Sequence, residues 1–118
     1  MGTVTSSRSV ITAVAIGFAL GILVELPALV VAAISGGGGH GNYAAARGLF
    51  PLPMLLTLLE NDSIGTLSIS AGLLQFPIYG ALLGWSMVRT DYVPAIMVTM
   101  VHTIAAVACF TGTLPNFS

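Results

Sequence analysis

The sequence predicts an all-α protein, an integral membrane four-helix bundle, and three observations carry that expectation. Only 6% of the 118 residues are charged and 56% are hydrophobic, whereas a soluble domain carries about a quarter charged residues. Mean hydropathy is +1.00. The charges are Arg8, Glu25, Arg47, Glu60, Asp62, Arg89 and Asp91, and most gaps between them are long enough to cross a bilayer. The same composition narrows the function. A net charge of −1 without lysine excludes nucleic acid as an expected partner and supplies no polybasic patch for anionic lipid. Cys109, the single cysteine, lies in an apolar run and reads as a small packing residue.

One transmembrane domain is expected over 1–118. The first helix is placed at 10–34: Arg8 precedes an apolar run too long for a signal-peptide core, so it reads as a retained helix. Two further spans fall at 64–88 and 93–114. Each span suffices to cross a hydrocarbon core of roughly 30 Å with some tilt. Asn61, Asp62 and Ser63 offer capping side chains before the first of these, and Thr90 and Asp91 do so before the second, with Pro94 in a first turn.

The remaining element, 43–60, is ambiguous. Arg47 stands near its start and Pro51 and Pro53 interrupt its middle, so the clean apolar stretch covers only about half a membrane at 1.5 Å per residue. A proline-kinked helix that crosses completely gives the up-and-down bundle. The alternative is three transmembrane helices plus a re-entrant broken helix. Full crossing is the preferred expectation, because Glu60-Asn61-Asp62 makes a polar turn. Orientation stays open, since Arg8 then opposes Arg47 and Arg89 while the amino terminus offsets the difference.

Small residues mark where helices meet without a hydrophobic driving force. Gly17, Gly21, Ala28 and Ala32 recur along the first helix, and Ser68, Gly72, Gly80 and Gly84 along the third. Counting from a shared end pairs Gly17 and Gly21, roughly 10 to 17 Å in, with Ser68 and Gly72. Ala28 and Ala32 then fall beside Gly80 and Gly84.

Glu25 is the strongest functional signal, because a carboxylate inside an apolar helix costs several kcal/mol unless it is protonated, paired or wet. Pro27 follows and frees backbone carbonyls in the preceding turn. In the four-helix order, Glu25 and His102 both lie roughly 13 Å from one side, and Gln75 reaches mid-depth from the other. The three form an expected buried polar layer of the kind used in proton relays or ion sites. Each also has a structural reading, as a neutral group bonded to a nearby carbonyl or hydroxyl.

The stretch Ser35-Gly-Gly-Gly-Gly-His40-Gly-Asn42-Tyr43 adds His40, Asn42, Tyr43 and Arg47 as candidates for a loop or lid. No Cys/His cluster accompanies His40, so no metal is expected. The glycines are not followed by Lys-Ser/Thr, so they form no phosphate loop. No cofactor is expected. Tyr43 and Arg47 are expected at headgroup level, with Trp85 and Tyr92 as an aromatic belt elsewhere.

"GGGGHGNY" followed by "LFPLPMLL" resembles a glycine-rich His-Gly-x-Tyr, then Leu-Phe-Pro, pattern in small bacterial membrane proteins to which no activity is attached. That resemblance covers about a fifth of the chain and implies a bacterial inner membrane. Length, four spans, an acidic residue in the first helix and the "RTDYVPAI" entry are similar to small multidrug resistance transporters. Around Glu25, "LVELPAL" lacks the small residues and glycine of that family, so the likeness is one of architecture.

Two functions follow as expectations. The first is association, as a homo-oligomer or an accessory subunit of a larger membrane complex. The second is a proton- or ion-coupled transporter or channel using Glu25, Gln75 and His102. No arrangement of serine, cysteine or metal ligands points to an enzyme.

Overall fold

The computed structural model describes residues 6–37, 41–112 and 114, and His40, with Gly38 and Gly39, lies outside them. The described chain is all-helical. Helix α1 (Ser7–Gly36) is followed by α2 (Ala44–Leu49), α3 (Pro51–Leu56), a 3-10 turn (Thr57–Glu60), α4 (Thr66–Arg89) and α5 (Val93–Cys109). Of these, α1 and α4 are long and apolar enough to cross a membrane.

Local chemistry sets most of the boundaries. Ser6 caps α1 by accepting from Ser9 N, and Gly37, left-handed at φ +52°, ends it. Asp91 Oδ1 accepts from Val93 N at 3.1 Å and Pro94 fits the first turn of α5, both as expected from the sequence. The entry to α4 differs from the expected Asn61-Asp62-Ser63 cap. Glu60 reaches across the turn instead, and its carboxylate accepts from Gly65 N, Leu67 N, Ser68 N and Ser68 Oγ at 2.6 to 3.1 Å. A negative group here also complements the positive end of the helix dipole.

The Ser68 hydroxyl, followed by these amide donors, holds the Glu60 carboxyl below its ordinary value. The stability it contributes is therefore complete above the ordinary value of about 4.3 and is lost as pH falls from there through the lower folded value. Acid melts of the wild-type chain should lose stability below that pH, and Glu60→Gln should flatten the loss. A Glu60→Gln chain with an unchanged acid slope would remove Glu60 from the cause.

Helices α1 and α4 form the principal contact and run antiparallel. A Cβ placed on Gly17 would strike the Gly80 carbonyl, one on Gly80 the Gly17 carbonyl, one on Gly21 the Phe76 carbonyl, and one on Gly84 the Ala13 carbonyl. Backbones approach this closely only where side chains are absent. The arrangement also suits Cα–H···O contacts of about 0.5–1 kcal/mol each. The expected pairing of Gly17 and Gly21 with Ser68 and Gly72 is corrected: Gly17 meets Gly80, and Gly72 instead lies beneath Pro53 and Phe50.

The direction of α4 explains that correction. The single helix expected over 43–60 is interrupted at Phe50 (φ −125°, ψ 55°) into two six-residue helices. Its start is tied to the end of α1, where Tyr43 N donates to Ser35 O and Ala46 N to Ser35 Oγ. Its finish is tied by Glu60 to the start of α4. Because α4 is antiparallel to α1, both attachments lie at one end of the molecule, called apical below. At the opposite, basal end, α1 begins, α4 finishes and α5 starts.

Helix α5 returns alongside α4, parallel to α1, and packs on α2, α3 and α4; among the described residues it makes no packing contact with α1. The apical half is closed by Ala46, Met54, Cys109 and Leu114, with Ala32, Tyr43 and Leu55 against them.

Candidate functional site

The site is built by the break between α2 and α3. Proline lacks an N–H, so Pro53 cannot satisfy the Leu49 carbonyl, and the last carbonyls of any helix lack partners within it. Burying such groups unpaired costs about 1–3 kcal/mol each. Side chains from the long helices meet this demand. Gln75 Nε2 donates to Leu49 O at 2.6 Å, and His102 Nε2 pairs with Gly48 O at 3.0 Å. From α5, Cys109 Sγ donates to Pro51 O at 3.4 Å and is fully buried, at 0% exposure.

The histidine tautomer follows from its neighbours. Gly48 O can only accept, so Nε2 carries the proton. In the neutral ring Nδ1 then accepts from the Tyr79 hydroxyl at 3.1 Å. Edge-on ring contacts extend the arrangement: Phe50 on Phe76 at 5.3 Å, Phe76 on Tyr79 at 6.0 Å and Tyr79 on His102 at 5.6 Å. Such pairs contribute about 0.5–1.5 kcal/mol beyond area burial. The tip at 48–50 is thus held by α4 and α5 together.

Glu25 stands apart. It shares the buried stripe of α1 with Gly17, Gly21 and Ala28, is 5% exposed, and its Oε1 has no hydrogen-bond partner among the described residues. No hydrogen bond joins it to Gln75 or His102. The layer expected for Glu25, Gln75 and His102 is kept only in part: Gln75 and His102 meet at the 48–50 tip, while Glu25 does not join them, since the expectation assumed that α5 begins where α1 ends. Continuing the register Ala13–Gly84, Gly17–Gly80 and Gly21–Phe76 places Glu25 level with Gly72. Tyr79, the partner of His102, falls level with Phe18, roughly 10 Å away along the helix axis.

The loop candidates are mostly structural. Asn42 Oδ1 accepts from Ala44 N at 3.0 Å and opens α2. Tyr43 takes the left-handed conformation (φ 56°) with its ring over Gly36. Arg47, expected at headgroup level, turns inward and donates from a guanidinium nitrogen to Cys109 O at 3.2 Å. That carbonyl lies at the negative end of α5, where a cation is favoured.

Tyr79, Cys109 and the carbonyls of Gly48 and Leu49 were not foreseen. Signals for two of them exist in the sequence. Tyr79 stands four residues after Gln75, on one helix face, and prolines at 51 and 53 announce carbonyls that need outside donors.

No family model matches this chain, and neither curated proteins nor solved structures give a match.

Proposed function

We propose that this chain is an integral membrane protein in which α1, α4 and α5 cross the bilayer while α2 and α3 enter and leave on the apical side, and that its role is association, as a homo-oligomer or accessory subunit. The 30 residues of α1 and 24 of α4 exceed the roughly 20 needed to span, and the 17 of α5 reach the lower limit of about 17. Arg8 and Arg89 share the basal end against Arg47 in the apical α2, and the positive-inside rule, which counts basic residues, then favours a basal end in the cytoplasm.

The observation that carries the association reading is where the interior polar groups go. Gln75, His102 and Cys109 all engage the chain's own backbone. That is the chemistry of a scaffold, and it leaves broad apolar faces outside, including Leu23, Leu26 and Val30 on α1 and Met97, Met100 and Ile104 on α5.

One observation favours transport as a second reading: the buried, unpartnered Glu25 Oε1, since an ionisable residue inside a membrane is a site candidate by default. Reconstitution alone in liposomes separates the two. Association predicts no proton or cation flux from wild type or Glu25→Gln, and a particle larger than the 12.1 kDa chain on gentle extraction. Wild-type flux abolished by Glu25→Gln would overturn it in favour of transport.

A further inference from the structure

The re-entrant pair fills only the apical half of the space beside α1 and α4. In the basal half a groove of about 790 Å³ runs along the two helices, lined by Ile16, Leu20, Val24, Tyr79, Leu83 and Met87 among others. Its inner end is formed by Phe76 and Tyr79. These are the residues that touch the tip, Phe76 through Phe50 and Tyr79 through His102. The groove is therefore the volume that the second half of a crossing helix would have filled.

Given the membrane placement proposed above, we infer that this groove holds one acyl chain of a phospholipid from the basal leaflet. Length is the first argument. Between Ala13 and Val24, which both line it, a helix rises roughly 16 Å, about half of a hydrocarbon core of roughly 30 Å. A lipid chain ends at that depth. Chemistry is the second, since the named lining residues are hydrocarbon or thioether except for the Tyr79 hydroxyl, which is engaged with His102.

A helix from a second copy fits worse on two counts. A crossing helix continues past mid-depth, where the 48–50 tip stands in its way. A stable protein interface also buries about 1,200–2,000 Å² in total, more than a groove half a membrane long supplies. Any self-association then uses the outer faces.

The test is native mass spectrometry of the full chain, extracted in mild detergent from phosphatidylethanolamine–phosphatidylglycerol vesicles. Wild type should retain one phospholipid per chain. Leu20→Trp and Val24→Phe, which fill the groove, should lose it, while Leu26→Trp, on an exposed position outside the lining, should keep it. Wild type without lipid, lipid kept by both filled variants, or a second copy in its place would each overturn the inference. The wild-type result needs no variant to fold. Vesicle flotation before extraction separates the two levels: a chain that does not float overturns the membrane reading, and a floating chain without lipid overturns the groove alone.

Discussion

Gly80→Leu should unfold or splay the molecule, the largest effect expected of any single substitution in the long helices. The new Cβ meets the Gly17 carbonyl, with the Gly21 amide nitrogen close behind at 3.2 Å. Neither is a side chain that can rotate away. Relief requires moving α1 off α4 along their whole contact, so the penalty belongs at or above the top of the usual 1–3 kcal/mol for overpacking. The comparison is Gly48→Ala, whose added Cβ meets nothing within 4 Å. That change should leave stability unchanged or raise it slightly, because glycine within a helix is less favourable than alanine by roughly 0.5–1 kcal/mol. Unfolding by SDS in mixed micelles, followed by helical circular dichroism, checks both. Equal midpoints for the two variants would show that the α1–α4 approach is not what holds the fold.

Gln75→Leu and His102→Leu should release the tip without unfolding the long helices. Each leaves a partly buried carbonyl unpaired, Leu49 O in the first case and Gly48 O in the second, at up to about 1–3 kcal/mol. Cys109 reports the release, because its sulfur sits on Pro51 O and is sealed in the closed form. A small membrane-permeant maleimide should label wild type slowly and each variant on the order of tenfold faster, since 1.4 kcal/mol corresponds to a factor of ten. The Gln75→Leu His102→Leu pair should be faster still, with coupling between the two losses, since neighbouring carbonyls of one tip are involved. Labelling that stays at the wild-type rate in both single variants would mean that the aromatic contacts alone seat the tip.

The long elements were legible because their signals are local. Apolar runs between charges located α1, α4 and α5 to within a few residues at most ends, and Asp91 with Pro94 marked the entry to α5. The exception is α5's far end: helix stops at Cys109, five residues short of the expected 114, where the Arg47 guanidinium takes its last carbonyl. The fate of 43–60 was not legible, because Pro51 and Pro53 are compatible with a kink or with a break. What distinguishes the two is whether donors elsewhere can satisfy the freed carbonyls, and those donors are 26 residues away for Gln75 and 54 for His102. Once that segment turns back, the directions of α4 and α5 both reverse. The glycine pairing and the Glu25–His102 depth match changed for this one reason; Gly17, Gly21, Gly80 and Gly84 stand at the α1–α4 contact, and Glu25 and Gln75 are buried.

The break at Phe50 therefore carries the proposed topology, in which 43–60 enters and leaves the bilayer on one side, and a sidedness measurement tests it most directly. In a Cys109→Ala background, single cysteines at Ser9, Asn42, Asp62 and Asp91, all exposed, can be labelled with a membrane-impermeant reagent in sealed vesicles of known orientation. Asn42→Cys and Asp62→Cys should label from the same side, and Ser9→Cys and Asp91→Cys from the other. Labelling of positions 42 and 62 from opposite sides would mean that 43–60 crosses the bilayer, and would contradict the re-entrant fold.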